Sequence, residues 1–129
     1  MSFFKKWIPN EADAEKYYQQ AFQEETEYNN YEKALSLYEK AAKNGLAKAQ
    51  YYCGYMYLKG RGTSRNKQKA LTYIEQAANQ NHPHGQYLLA QMYLSGEGVE
   101  KNEQLGNEWL EKFKAHNLPN EIMLTFNSY

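Results

Sequence analysis

The sequence predicts an all-α fold built from stacked pairs of antiparallel helices, and three observations support this expectation. The segment QYYCGYMYLKGRG at 50–62 recurs at 86–98 as QYLLAQMYLSGEG, with seven identical residues among thirteen. The same shift of 36 residues relates the segment 31–45 to the segment 67–81. The repeated segments carry apolar residues at helical spacing, and a fixed period of this length is typical of stacked supersecondary units.

Length and composition limit the classes of protein to which this chain can belong. Its 129 residues suit one domain, 1–129, with a core of its own. The 15 Lys and Arg balance 15 Asp and Glu, so no net charge draws the chain to nucleic acid or to a membrane surface. No apolar run has the length of a transmembrane span or a secretory signal. Cys53 is the only cysteine, so we expect no intramolecular disulfide and a reducing, cytoplasmic location.

Helices are expected in the order 11–25, 31–44, 46–58, 66–80, 84–94 and 103–116, with a short one near 119–126. The second helix of each unit carries one apolar stripe at i, i+3, i+4, i+7 and i+8. The stripe consists of Ala34, Leu37, Tyr38, Ala41 and Ala42, then Ala70, Tyr73, Ile74, Ala77 and Ala78, then Trp109, Leu110 and Phe113. Asn30, Asn66 and Asn102 precede these helices, where a side-chain oxygen accepts a bond from a free backbone N–H.

The first helix of the central unit is expected to bury Ala49, Cys53, Met56 and Tyr57. Gly54 lies on the same helix, and its missing side chain lets a neighbouring helix approach closely. The aromatic and aliphatic residues within 3–8 are expected to cover the exposed end of the first helix pair, with a membrane or partner contact as the alternative. The segment 118–129 is expected to close the last pair.

The glycines of the repeated segment need an explanation, because the GRG step at 60–62 has the composition of a loop that binds phosphate. Such a loop follows a strand and opens a helix, whereas this step follows a predicted helix. Its second copy, GEG at 96–98, places a carboxylate where an anion would have to bind. We therefore predict that Gly60 and Gly96 end helices in a conformation with positive φ.

The repeated residues carry a family resemblance. The pattern A-x-x-x-x-G-x-M-Y-x-x-G-x-G, followed by K-A and A-A, resembles the Sel-one-like repeat (SLR), a relative of the tetratricopeptide repeat. Its carriers here are Ala49, Gly54, Met56, Tyr57, Gly60, Gly62, Lys69, Ala70, Tyr73, Ala77 and Ala78. The last unit departs from the pattern at Gly106, Phe113 and Lys114, as suits a capping unit. In the first unit, Glu24 and Thr26 replace the loop glycines.

The resemblance implies a right-handed α-solenoid of about three helix pairs, with partners bound on its concave face. The predicted units are about 11–45, 46–81 and 82–117, followed by a capping segment at 118–129. The repeat fold itself carries no chemistry, so an activity would have to come from particular side chains.

Few side chains have the pattern of a catalytic or metal site. His82 and His84 are candidate metal ligands, but two histidines make an incomplete site, and Pro83 explains the stretch as a helix start. His116 lies almost a full period away. Cys53 falls on a buried stripe, whereas a reactive thiol needs a partly exposed, electropositive niche. We expect no catalytic residue, no metal and no cofactor, and an enzyme is the least favoured class.

Charge is zoned along the sequence. Residues 11–32 hold seven acidic side chains and one basic, and between Glu39 and Glu75 there is no acid. The eight basic residues of that interval are Lys40, Lys43, Lys48, Lys59, Arg61, Arg65, Lys67 and Lys69. This zoning is either that of an ordinary solvated surface or a basic band that fits an acidic patch on a partner. Nucleic acid is not expected, because the acidic flanks would repel a phosphate backbone.

The face of the first helices that points away from the buried stripe provides the candidate binding residues. By comparison with related repeats, this face lines the inner groove. The predicted partner-binding residues are Glu15, Gln19, Lys48, Tyr51, Tyr55, Lys59, Arg61, His84, Tyr87 and Gln91. A row of exposed Tyr, Lys, His and Gln has the composition of a protein-binding hot spot. The alternative is that Tyr51 and Tyr87 pack against the next helix.

The sequence therefore favours a non-catalytic module for protein–protein interaction. Short SLR proteins look like bacterial immunity proteins, which bind a toxin and block its active site, and this is the narrower hypothesis. The alternative is a regulatory adaptor or scaffold subunit in signalling or secretion. We expect a protein partner, no nucleic acid, no membrane, and a monomer or weak homodimer.

Overall fold

The computed structural model describes residues 11–118 and shows six α-helices in this part of the chain. They are α1 Glu11–Thr26, α2 Tyr31–Lys43, α3 Ala47–Lys59, α4 Lys67–Asn79, α5 Pro83–Ser95 and α6 Glu103–Lys114. No strand occurs between residues 11 and 118, and the predicted all-α class is confirmed. None of these six helices has the length and apolar composition that crossing a bilayer requires. The expectations for residues 3–8 and for a closing helix at 119–126 lie outside the described residues.

Consecutive helices pack against each other along the whole described part. Helix α1 packs on α2, α3 on α4 and α5 on α6, and the pairs stack through contacts of α2 with α3 and of α4 with α5. Helix α3 also touches α5 directly, so the first helices of successive pairs lie side by side. We call the layer of α1, α3 and α5 the inner layer. This arrangement confirms the predicted α-solenoid.

Helix starts and ends follow the cap residues that the sequence indicates. Asn30, Asn66 and Asn102 each accept a hydrogen bond, at 3.3, 3.0 and 3.0 Å, from the backbone N–H three residues later. Gly60 and Gly96 follow α3 and α5 with φ of 71° and 76°. Each donates its N–H to the carbonyl four residues earlier. Both glycines are helix stops, as predicted.

Small side chains dominate the core, because they let helices approach closely. Ala34, Ala41, Ala49, Ala70 and Ala77 are fully buried. Gly54 faces Ile74, and a Cβ atom at position 54 would collide with that side chain. Cys53 is buried in the same cluster, as the stripe predicted.

The carboxylate of Glu39 joins three helices: α2, which carries it, and α3 and α4, which bond to it. The hydroxyls of Tyr57 and Tyr73 donate to Oε2 of Glu39 at 3.2 and 2.9 Å, so α3 and α4 are both bonded to α2. The two rings stack with centroids 6.0 Å apart, and the ammonium of Lys69 lies 5.2 Å from the Tyr57 centroid. We call Glu39, Tyr57 and Tyr73 the tyrosine clasp.

A buried glutamine links the two helices within a pair, and this link occurs twice, one repeat period apart. Oε1 of Gln50 accepts a bond of 2.7 Å from Nε2 of Gln80. One period later, Oε1 of Gln86 lies 2.8 Å from Nε2 of His116. His116 therefore takes the structural place of Gln80, and this contact explains the third histidine of the described part.

Substitution of the two loop glycines separates backbone strain from steric conflict. Gly60→Ala should lower the free energy of unfolding by about 1 kcal/mol, because φ is positive and the added Cβ meets mainly a flexible arginine. Gly62→Ala should cost about 1–3 kcal/mol more, because its Cβ would also lie 2.5 Å from the carbonyl oxygen of Tyr31. Urea denaturation measures both values. Gly60→Asn is the control, since asparagine tolerates this conformation; equal losses for all three variants would contradict the assignment.

Removal of the clasp carboxylate should destabilise the protein by a predictable amount. Glu39→Ala leaves two half-buried or buried tyrosine hydroxyls without their acceptor, which costs about 1–3 kcal/mol. Glu39→Gln retains an acceptor oxygen and should lose less. The measurement is the midpoint of thermal unfolding for both variants. If the alanine variant is no less stable than the glutamine variant, the clasp contributes nothing.

Candidate functional site

The structure brings four of the ten predicted binding residues together around one pocket. Tyr55 and Lys59 of α3 and Tyr87 and Gln91 of α5 line a cavity of about 170 Å³ between these helices. Two of these positions are equivalent, because Gln91 follows Tyr55 by one repeat period. We call this cavity the tyrosine pocket. It lies between two successive inner helices, and residues of both helices line it.

The walls and the base of the tyrosine pocket differ in chemistry. Tyr55 and Tyr87 are half-buried, while Lys59 and Gln91 are exposed at the rim. Three further lining residues are apolar and buried: Leu58, Leu88 and Met92. Glu97 also lines the pocket, and among the described residues neither it nor Lys59 takes part in an ion pair. The pocket therefore combines an apolar base, two aromatic walls and one charge of each sign.

The sequence prediction missed the base of this pocket and Glu97. Leu58 and Leu88 lie outside the positions of the family pattern, and Met92 belongs to the core stripe. Their role depends on how far apart α3 and α5 lie, which a single-sequence pattern does not give. Glu97 follows the helix stop at Gly96, and its position reflects the turn of the loop.

The other end of the inner layer carries an ion pair between the first and second helix pairs. Nζ of Lys48 lies 2.9 Å from Oε1 of Glu15, and Gln19 donates to the same oxygen at 2.9 Å. The bond from Gln19 and the bond from Lys48 hold the pKa of Glu15 below its usual value. The Lys48 ammonium also lies 4.3 Å from the ring centroid of Tyr18. These three predicted residues contact one another and form part of the joint between pairs.

The predicted row of exposed residues is wrong at Tyr51, which is buried. Only 3% of the residue is exposed, because its ring lies against Tyr55, His82 and His84 with centroids 6.2, 5.6 and 5.3 Å away. The alternative, that Tyr51 packs against the next helix, is correct. Tyr87 packs on Phe113 at 5.0 Å but stays half-buried and lines the tyrosine pocket.

The basic segment does not converge on one surface site. The Arg61 guanidinium lies 4.6 Å from the ring centroid of Tyr31 at the start of α2, away from the residues that line the tyrosine pocket. Burial raises the pKa of the neighbouring Glu25, and the Arg61 charge opposes that rise. Lys40, Lys48 and Lys69 lie over the rings of Tyr17, Tyr18 and Tyr57. Four of the eight basic side chains therefore make cation–π contacts, each with a different tyrosine ring.

The histidines considered as metal ligands and the cysteine considered as a nucleophile are packed against other side chains. Between residues 11 and 118, no three His, Cys, Asp or Glu side chains are placed to hold a metal ion. His82 and His84 stack on each other at 5.6 Å, half-buried beside Tyr51. Burial raises the pKa of the Cys53 thiol, which makes it a weaker nucleophile at neutral pH.

These features define a class of protein: a two-layer array of helix pairs that presents a polar, tyrosine-bearing inner face. The family model described as Sel1 repeat matches residues 8–25, 26–46, 47–82 and 83–117, so the chain belongs to the Sel1 repeat family. Proteins of this family generally mediate protein–protein interactions. No curated protein matches the sequence.

Solved structures agree with this assignment. A Sel1 repeat protein from Oxalobacter formigenes is 29% identical, with a TM-score of 0.77 over 81% of this chain and 44% of that chain. The protein c5321, a protective antigen of uropathogenic Escherichia coli with an SLR fold, is 27% identical, with a TM-score of 0.79 over 81% and 23%. This chain therefore spans less than half of either relative. Cysteine rich protein B of Helicobacter pylori shares the fold at 21% identity, with a TM-score of 0.68 over 88% and 92%.

The two central tyrosines should differ in their effect on stability. Tyr51→Ala removes a buried ring and should lower the free energy of unfolding by about 3–5 kcal/mol. Tyr55→Ala should cost clearly less, because its half-buried ring already borders an open pocket. Urea denaturation followed by circular dichroism gives both values. A loss at Tyr55 equal to that at Tyr51 would place Tyr55 in the core.

Proposed function

We propose that this chain is a non-catalytic module that binds a partner protein on its inner layer, with the tyrosine pocket as the main contact. The observation that carries the proposal is the meeting of Tyr55, Lys59, Tyr87 and Gln91 around one cavity with an apolar base. Tyrosine gives large contact area at low entropic cost, and such residues dominate protein-binding hot spots.

The dimensions of the pocket suit a single side chain of the partner. Its volume of about 170 Å³ and its base of two leucines and a methionine favour a bulky apolar residue. Lys59 and Glu97 at the rim offer one charge of each sign to the flanking polar groups. The partner is therefore expected to insert one apolar anchor within a polar surrounding, which is the usual anatomy of a protein interface.

Two narrower versions differ in the partner. In the first, the chain is a bacterial immunity protein that covers the active site of a toxin. In the second, it is a regulatory adaptor or scaffold subunit in signalling or secretion. Both use the same pocket, and the identity of the captured protein distinguishes them: a toxin neutralised by the chain supports the first, and an unaffected signalling or secretion component supports the second.

Partner binding should depend on Tyr55 and not on a more exposed tyrosine elsewhere. A partner is first captured from native extract by a photo-crosslinker at Gln91, which marks the pocket rim. Titration calorimetry with that purified partner should then show at least about tenfold weaker binding for Tyr55→Ala, equivalent to about 1.4 kcal/mol.

The matched control is Tyr28→Ala, since Tyr28 is 61% exposed in the segment between α1 and α2 and does not line the pocket. This variant should bind as tightly as the unmodified chain. Equal affinity of all three proteins would refute the pocket as the contact point. Loss of binding in Tyr28→Ala alone would move the site to the α1–α2 end.

A further inference from the structure

The joint between the second and third helix pairs contains two imidazoles in place of an ion pair. His84 follows Lys48 by one repeat period, and Tyr51 follows Glu15 by the same distance. Lys48 contacts Glu15 at 2.9 Å, and the His84 ring correspondingly lies 5.3 Å from the ring of Tyr51. The same pair of positions on successive inner helices therefore makes an ionic contact at one joint and an aromatic contact at the next.

His82 completes this joint at the start of α5. It is the N-cap residue, its ring stacks on His84 at 5.6 Å, and it lies 5.6 Å from the ring of Tyr51. One period earlier the equivalent residue is Leu46, which packs against the core. His82 thus occupies a position where the neighbouring joint has an aliphatic side chain. We call His82, His84 and Tyr51 the histidine joint.

The surroundings of the joint disfavour added positive charge. The groups that act electrostatically on His82 are His84, His116 of the α6 end and Lys48 of α3, all cationic when protonated. Glu15 of α1 is already bonded to Lys48. The N-terminus of α5 adds its own positive dipole end beside both rings. Two imidazolium ions stacked at 5.6 Å would therefore repel each other.

We propose that the histidine joint is an acid-sensitive switch: protonation of His82 and His84 separates their rings from Tyr51 and thereby moves the tyrosine pocket wall. The mechanical link is direct, because Tyr51 contacts Tyr55, and Tyr55 lines the pocket. The opening of the joint is independent of any partner. Its consequence, weaker binding at acidic pH, rests on the proposed function of the pocket.

The pH range follows from the direction of the shifts. Burial lowers the pKa of His82 to about 4 and also lowers that of His84, whereas a free imidazole has a pKa of about 6.5. Between these values the opened joint binds more protons than the closed one, so stability is present near neutral pH and is lost as the pH falls from about 6.5 towards 4. The Glu15 carboxylate has a pKa below 4.5, so its protonation belongs to a lower range.

The first test is a proton NMR titration of the unmodified chain from pH 8 to pH 4. The C2–H signals of His82 and His84 should both titrate below 6.5, because burial disfavours the charged form of each imidazole. Signals of Tyr55 should move with the same midpoint. Titration of both imidazoles at or above 6.5 would overturn the switch, and so would a Tyr55 signal that does not follow them.

The second test is the melting temperature between pH 7 and pH 5. The double variant His82→Leu and His84→Gln introduces the aliphatic residue of the equivalent position and a neutral polar side chain, and it should lose at least half of the acid-induced fall in melting temperature. His116→Gln is the matched control, since Gln80 occupies the equivalent position, and it should keep most of the fall. An unchanged fall in the double variant would reject the switch.

Both tests use the free protein, so they separate the switch from the binding proposal. If the switch fails, Tyr55→Ala still reports whether the pocket binds a partner. If the pocket fails, the NMR titration still reports whether the joint opens. Affinity for the captured partner at pH 7 and pH 5.5 then connects the two: the unmodified chain should bind at least about threefold more weakly at the lower pH, and the double variant should not.

Discussion

The close approach of successive helices is the constraint on which the other features depend. It is set by residues that have little or no side chain: a Cβ atom at position 85 would lie 2.9 Å from Cβ of Ala77, and one at position 106 would lie 2.7 Å from Cγ of Leu94. Because backbones approach so closely, side chains next to these contacts are forced to interact across helices. The tyrosine clasp, the buried glutamine links and the histidine joint all occupy such positions. Their geometry follows from helix spacing more than from the strength of any one bond.

Much of the architecture could be predicted because its sequence signals act between residues that are close in the chain, and because these signals occur in two copies. Helix ends depend on Asn66 and Gly60, whose capping chemistry acts within a few residues, and the repeat at 36 residues showed the same signals again. The binding face was harder, because exposure depends on what covers a helix. Tyr51 and Tyr55 have the same sequence signature, yet two histidines of the next helix bury the first and leave the second beside a pocket. Arg61 is in a basic segment, but a neighbouring tyrosine ring fixes its direction.

The inner layer therefore has two parts with different roles. Towards the helix starts, side chains of successive helices contact one another and hold the pairs together, through Glu15 and Lys48 at one joint and through Tyr51 and His84 at the next. Towards the helix ends, α3 and α5 leave the tyrosine pocket between them. A surface that is fixed at one end and open at the other suits recognition, because the contact residues are held in place before a partner arrives.

The alternation of ionic and aromatic joints has a consequence for how such an array can be lengthened. A duplicated copy of residues 46–81, inserted after the original, would keep its glutamine link, because Gln80 would again find a Gln50. Its Lys48, however, would face Tyr51 of the preceding copy instead of a carboxylate. Exact duplication would thus preserve the spacing of the helices but lose the specific side-chain contact at the new joint. A lengthened array would therefore need a further substitution at each added joint to restore a specific contact there.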